Sequence, residues 1–189
     1  MLGYIEIPKT VDVIDDEGNI KTYTVTSIGS NAFDGCSSLE SIDIPDSVTE
    51  IGDMAFNECS SLESIDIPDS VTEIRERAFR YCSSLKTIYI PNSVMTIGNF
   101  AFEGCSSLKS IDIPDSVTKI GEKAFGGCKS LESITIRCKD IDNIKFGWSP
   151  FYNDIFDECV LHIPSGTRWA YRHHPIFGKF KNIVTERFD

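Results

Sequence analysis

Between Ile28 and Ile136 the chain writes one phrase nearly five times. Cys36, Cys59, Cys82, Cys105 and Cys128 are each 23 residues apart. Phe33, Phe56, Phe79, Phe102 and Phe125 keep the same interval, as do the Ala before each Phe and Leu39, Leu62, Leu85, Leu108 and Leu131. A fixed period of this size restricts the chain to a solenoid. Each unit is too short to bury its own apolar face and must stack on its neighbours.

Ile51 to Glu73 serves as the type copy. Leu62, Ile65, Ile67 and Pro68 carry the predicted strand: Ile65 and Ile67 face one way and Asp66 the other. Pro68 has no amide to give a ladder and ends the strand. Asp69-Ser70 suits a turn, after which Val71 and Ile74 return to the core. Gly52 to Cys59 is expected as a short helical or 3₁₀ turn on the opposite side, with Ala55 and Phe56 inward. Each Phe ring then packs on the ring of the next coil. Parallel strands stack about 4.8 Å apart, so ladder cysteines point alongside one another with Cβ atoms too far apart for a disulfide. They read as small apolar filler. Cys138 lies off the ladder and Cys159 at its frayed end, which leaves a Cys138–Cys159 bridge as the one pairing to consider.

The phrase Ile-Gly-x-x-Ala-Phe-x-x-Cys-x-Ser-Leu-x-x-Ile-x-Ile-Pro-x-Ser-Val, as it stands from Ile51 to Val71, resembles the BspA-like leucine-rich repeats. The resemblance covers residues 28–136 strongly and both ends more loosely. Arg75 departs from it in place of a Gly, and Arg137 in place of a Pro. The resemblance implies a right-handed leucine-rich-repeat coil with a parallel sheet on one face and short turns on the other. It also implies a bacterial protein that is secreted or surface-exposed and takes part in adhesion or recognition of host or microbial macromolecules. No Gly-x-Ser-x-Gly elbow, Ser–His–Asp order or Gly-rich phosphate loop is legible, so neither enzymatic activity nor a cofactor is expected.

The two ends depart from the period. Leu2, Ile5, Ile7 and Pro8 repeat the spacing of Leu39, Ile42, Ile44 and Pro45, so the chain opens on a strand of the repeat. The segment that follows alternates, with Val11 and Val13 before Asp15-Asp16-Glu17-Gly18-Asn19 and Tyr23 and Val25 after it. This is a hairpin pattern. Residues 1–27 are therefore expected as a first strand plus a hairpin that covers the open end, or as an irregularity within a longer array. Residues 28–136 are the regular repeats, and 137–189 a degenerate last repeat and cap within the same domain. Phe156-Asp157-Glu158-Cys159 echoes Phe33-Asp34-Gly35-Cys36. Ser165-Gly166-Thr167 is expected to start a short helix through about His173, stopped by Pro175. Trp169, Tyr171, Phe177, Phe180 and Ile183 are expected to pack as an aromatic cap, with an aromatic ligand site as the alternative.

Composition narrows the partners. A formal net charge of -11 and a pI near 4.7 disfavour nucleic acid and anionic lipid. No run of about 18 apolar residues is present to insert into a membrane. The opening Met1-Leu2-Gly3-Tyr4 has no signal-peptide pattern. The expected partner is an extracellular protein or glycan, and no metal is expected.

Outward strand positions form three columns, and these are the candidate binding residues. The first runs Glu40, Glu63, Lys86, Lys109, Glu132; the second Ser41, Ser64, Thr87, Ser110, Ser133; the third Asp43, Asp66, Tyr89, Asp112, Thr135. Stacked Asp side chains repel, and Lys86 and Lys109 are expected to offset them diagonally. Tyr89 breaks the Asp column in the least uniform repeat, which also carries Arg75, Arg77, Arg80 and Tyr81. Exposed Tyr and Arg anchor interfaces. Tyr89, flanked by Asp66 and Asp112, is therefore the expected centre, with Asp43, Lys86, Lys109, Thr87 and Ser64 around it. Drift on a solvated sheet is the alternative. Two other classes remain: a structural spacer in a larger surface protein, and an enzyme with a site near Trp148, Tyr152 and His162.

Overall fold

The computed structural model describes residues 3–152 and 155–188, so Leu2 lies outside the described residues. The chain winds as a solenoid. At its start β1 (Tyr4–Glu6) pairs in parallel with β5 (Ser41–Asp43), Ile5 opposite Ile42. Between them stand β2 (Thr10–Ile14) and β3 (Ile20–Thr24), the expected antiparallel hairpin. Toward the other end β9 (Ser110–Ile113), β11 (Ser133–Ile136), β13 (Val160–Pro164) and β14 (Asn182–Glu186) form a parallel sheet in that spatial order. The Leu-x-x-Ile-x-Ile strands are thus found, but the face is interrupted. At the coils of Ile65 and Ile88 the strand pairing thins to an isolated bridge between Asp66 and Tyr89, beside which the Lys86 amide donates to the Glu63 carbonyl at 3.1 Å.

A second, unbroken ladder runs along a part of the unit expected only to dip into the core. β4 (Ser27–Ile28), β6 (Glu50–Ile51), β7 (Glu73–Ile74), β8 (Thr96–Ile97), β10 (Lys119–Ile120) and β12 (Lys145–Phe146) pair in parallel, one from each coil. Its buried column is Ile28, Ile51, Ile74, Ile97 and Ile120.

The Phe side is a turn, not a helix. Its amides alternate between two kinds of partner. Ala55, Asn57 and Cys59 donate back three residues, to Gly52, Met54 and Phe56. Met54, Phe56 and Glu58 donate to Glu76, Ala78 and Arg80 of the next coil at 2.9, 2.8 and 2.7 Å. Every second amide therefore bonds along the stacking axis, and buried backbone is satisfied without helix or sheet. Left-handed residues make this possible, among them Met54 (φ 55°), Glu58 (φ 58°) and their counterparts Arg77 (φ 55°) and Tyr81 (φ 59°).

Inside lies the expected column of rings. Phe33, Phe56, Phe79, Phe102 and Phe125 stack with centroids 5.2 to 5.5 Å apart and planes within 6°. Phe151, not Phe156, extends it at 5.4 Å. Gly147 lies against Gly121 and Glu122, and the Phe125 amide donates to Pro150. The last coil therefore resumes the repeat at Phe146 and inserts its remaining extra residues between Phe151 and Cys159. Phe156 instead packs edge-on against Phe180 at 4.9 Å.

The ladder cysteines are buried fillers with one further task. The thiols of Cys59, Cys82, Cys105 and Cys128 donate to the carbonyls of Phe33, Phe56, Phe79 and Phe102, each at 3.1 to 3.2 Å. Burial pushes the Cys59 thiol up to about 12, and raises the Cys82 and Cys105 thiols as well. None of the seven cysteines is disulfide-bonded; Cys138 and Cys159 form no bridge, and the Cys138 thiol donates to the Asp140 carbonyl at 3.0 Å.

Two expectations about the ends fail. The hairpin does not close the open end: Ala32 is exposed and Phe33 and Cys36 are half-buried, unlike their counterparts in later coils. Its apolar residues are split between two faces, with Val11, Tyr23 and Val13 on one and Ile14 and Ile20 on the other. It therefore has no single apolar face to lay down, and both strands stay exposed. At the far end the cap forms around the helix α1 (Arg168–His173), but without the tryptophans. Trp148 is 70% and Trp169 74% exposed. Tyr171, Phe177 and Phe180 fill the interior, and the Tyr171 hydroxyl donates to the Cys138 carbonyl at 2.7 Å.

Candidate binding surface

β-Strand register fixes the third outward column. Glu6 aligns with Asp43, Asp66 bridges to Tyr89, and Asp112 aligns with Thr135, then His162 and Val184. The carboxylates on it find separate solutions. Asp43 accepts from the Tyr4 hydroxyl at 2.7 Å, and that hydrogen bond pushes the phenol up to about 12. Asp112 is held by Arg137, whose Nε donates at 2.9 and 3.1 Å and whose Nη2 donates at 2.7 Å. This two-pronged pairing keeps the guanidinium firmly charged.

Arg137 occupies the position where earlier units have Pro45, Pro68, Pro91 and Pro114. A proline there has no amide. Arg137 has one and donates it to the Ile113 carbonyl at 3.0 Å, carrying the β11–β9 pairing one residue further. The same substitution supplies the side chain that reaches back to Asp112. On its other side the guanidinium lies over the Phe188 ring, 5.2 Å from the centroid.

A groove forms around this pair. Tyr89, Asn92, Asp112, Pro114 and Arg137 line a hollow of about 140 Å³. It joins, through the shared Asn92 and Arg137, a cleft of about 570 Å³ walled by Asp115, Lys139, Ser165, Glu186, Arg187 and Phe188. Tyr89 is 57% exposed at the rim. His162 Nδ1 and Glu186 Oε1 lie 2.6 Å apart beside it.

Of the residues singled out from the sequence, Tyr89 and Asp112 come together here. Asp66 lines a separate hollow of about 160 Å³ with Asp46 and Asp69, and Asp43 is taken up by Tyr4. Ser64 and Thr87 are exposed on the same face but do not line the groove. Lys86 and Lys109 do not offset the Asp column. Lys86 pairs with Glu63 at 2.7 Å and Lys109 with Glu132 at 3.6 Å, within their own column. Residues one coil apart on a single column are nearer than the diagonal Asp, so the lysines satisfy the glutamates. Arg77, Arg80 and Tyr81 belong to the turn side, where Arg80 pairs with Glu103 at 2.7 Å and covers the Tyr81 ring.

Trp148, Tyr152 and His162 do not converge. Trp148 edges a hollow at the cap with Pro150 and Ile176, Tyr152 donates to Glu103 on the turn side, and His162 sits on the strand face. Among the described residues no group of three His, Cys, Asp or Glu is placed to hold a metal.

Asn92, Asp115, Arg137, Lys139, Arg187 and Phe188 were not among the residues chosen from the sequence. Only Arg137 carried a signal, as the break in the proline column. Arg187 and Phe188 follow β14, and only the pairing of β14 with β13 brings them to this edge.

Coil, turn ladder and strand face together define a leucine-rich-repeat solenoid. The BspA type leucine rich repeat region matches residues 26–161 in six copies, and the chain belongs to that family. It is similar to a leucine-rich repeat protein from Bacteroides ovatus, 32% identical with a TM-score of 0.61 over 86% of this chain and 48% of that one. It is also similar to the T. pallidum leucine rich repeat protein, 26% identical with a TM-score of 0.63 over 98% of this chain and 86% of that one. The pneumococcal vaccine antigen PcpA shares the fold, at 23% identity and a TM-score of 0.59 over 79% of this chain and 42% of that one. The chain spans about half the length of the Bacteroides protein. No curated protein sequence matches it.

Proposed function

We propose that this chain is a non-enzymatic recognition module that binds an extracellular macromolecule through its strand-side groove. Leucine-rich-repeat proteins of this family are generally interaction or surface modules. Adhesion outside the cell or at its surface is the role this reading assigns. The observation that carries it is the Asp112–Arg137 pair set beside exposed Tyr89 in a continuous groove. An ordered guanidinium and an exposed phenol ring are the side chains that most often anchor an interface.

The test is binding to an array of matrix proteins and glycans, with Tyr89→Ala and Arg137→Ala alongside. Loss of a hit by about tenfold or more in both variants supports the groove. A hit that neither variant alters moves the site off the strand face.

A second reading, a structural spacer in a larger surface protein, draws on the exposed Ala32 and half-buried Phe33 at the open end. Stacking a further coil would bury both. Absence of any hit, with the variants folded, favours it.

A further inference from the structure

We infer that the larger cleft binds a carboxylate-bearing oligosaccharide, with Lys139 and Arg187 holding the carboxylate. The inference rests on the strand-side reading above and names its ligand class.

The argument starts from charge. The chain is strongly acidic, with a formal net charge of -11. Several of the cations around the strand face and its neighbours are spoken for, as Lys86 is by Glu63, Lys109 by Glu132, Arg75 by Glu50, Arg80 by Glu103 and Arg137 by Asp112. Lys139 and Arg187 line the cleft, and among the described residues neither makes a salt bridge. Two cations without an ion-pair partner in one cleft give an anion a local site, beside the Asp115 and Glu186 carboxylates that share its walls. The flanking acidic surface discourages densely charged polyanions and favours a ligand of sparse charge.

The remaining walls choose what carries that anion. Asn92 and Ser165 both donate and accept, while Asp115 and Glu186 only accept. A ligand must therefore offer donors to these carboxylates as well as an anion to Lys139 and Arg187. Sugar hydroxyls donate and accept through the same atom, so a saccharide meets both demands at once. An acidic peptide meets Asp115 and Glu186 with like charge. The cleft volume of about 570 Å³ suits a few sugar rings and falls in the range of small-ligand sites. Exposed Tyr89, in the hollow that opens from the same Asn92 and Arg137, offers a flat apolar face on which a further ring can rest.

The experiment is calorimetric titration of the full chain with tetragalacturonate and a hyaluronan tetrasaccharide. The carboxyl-reduced tetragalacturonate and tetraglutamate are the comparators. Binding of at least one acidic sugar is expected, weakened about tenfold or more by carboxyl reduction and by Lys139→Ala with Arg187→Ala. Tetraglutamate should bind more weakly still, and the acidic-sugar affinity should fall with salt. Both variants are surface changes, and circular dichroism checks that they fold. Failure of both sugars to bind overturns the inference, as does equal binding of the reduced sugar, of tetraglutamate, or by the double variant. If macromolecular hits are lost in Tyr89→Ala and Arg137→Ala while Lys139→Ala with Arg187→Ala changes nothing, the groove stands and the sugar does not. If no strand-face variant changes any hit, both readings fall.

Discussion

The turn side and the strand side of this solenoid share one 23-residue period and obey it differently. On the turn side every regular coil repeats the last: stacked rings, a thiol on the preceding Phe carbonyl, and amides that alternate between their own coil and the next. On the strand side pairing thins at Ile65 and Ile88 and recovers at β9. All non-glycine residues with positive φ among those described lie on the turn side, from Asn31 to Ser149. One face accepts strained backbone to hold the stacking register. The other is relieved of that duty, and its outward residues are free to differ from coil to coil. The proposed groove lies on the face where repetition is not enforced.

The sharpest way to break this contrast is to remove one ring. Phe79 is fully buried between two stacked neighbours. Phe79→Ala is expected to lose about 3–5 kcal/mol in denaturant unfolding, since no side chain can move into the column. Tyr89→Ala, ten residues on in the same coil, should stay within about 0.5 kcal/mol of the parent. Comparable losses in the two variants would mean that the strand face also carries the register.

Alkaline pH should reach the same core through its thiols. Burial raises Cys59 to about 12 and pushes Cys82 and Cys105 well up too, whereas unfolded cysteine ionises near 8.5. Above that pH the unfolded chain binds fewer protons than the folded one, so stability falls as pH rises. Below it these thiols add no pH dependence. The slope approaches about 1.4 kcal/mol per pH unit for each buried thiol between pH 9 and 12. Unfolding midpoints at pH 8 and 10 measure it, and Cys82→Ala should make the slope shallower. An unchanged slope in that variant would mean that the Cys82 thiol is not the protonated donor to Phe56.

How legible this was from sequence follows the same division. The ring column, the buried cysteines, β9, β11 and the hairpin could all be read, because each rests on a periodic or alternating pattern. The Thr-x-Ile ladder was missed because two-residue strands leave too short an alternation to notice beside Ile-x-Ile. Phe156 stands out in the sequence because Phe-x-x-Cys is a strong local echo, although Phe151 is the ring that keeps the four-residue spacing from Gly147 seen between Gly52 and Phe56. Tyr89 and Asp112 were visible as irregularities in a column. Arg137 was visible as a lost proline, but its partner was not, since nothing in the sequence says that the side chain turns back one coil. Lys139, Arg187 and Phe188 lie in aperiodic chain and meet only through the cap.

The strain on the turn side gives the finest test. Glu58 is exposed and left-handed at φ 58°, as is its counterpart Tyr81 at φ 59°, while the equivalent positions in three other coils are Gly35, Gly104 and Gly127, all with positive φ. A residue with a Cβ costs roughly 1–2 kcal/mol in that conformation, and glycine returns part of the gain through its larger entropy loss on folding. Glu58→Gly should therefore stabilise the chain by about 0.5–1 kcal/mol, read as a higher denaturant midpoint. The reverse change, Gly104→Ala, should destabilise it by more than that margin. There the added Cβ adopts the left-handed conformation and also collides with the Tyr81 ring, which lies across Gly104. Stabilisation by the first and loss by the second would establish that the alternating hydrogen bonds of the turn side hold the backbone where side chains resist it. Destabilisation by Glu58→Gly would mean that the turn rests in its own preferred conformation, and that the strand face owes its freedom to something other than this division of labour.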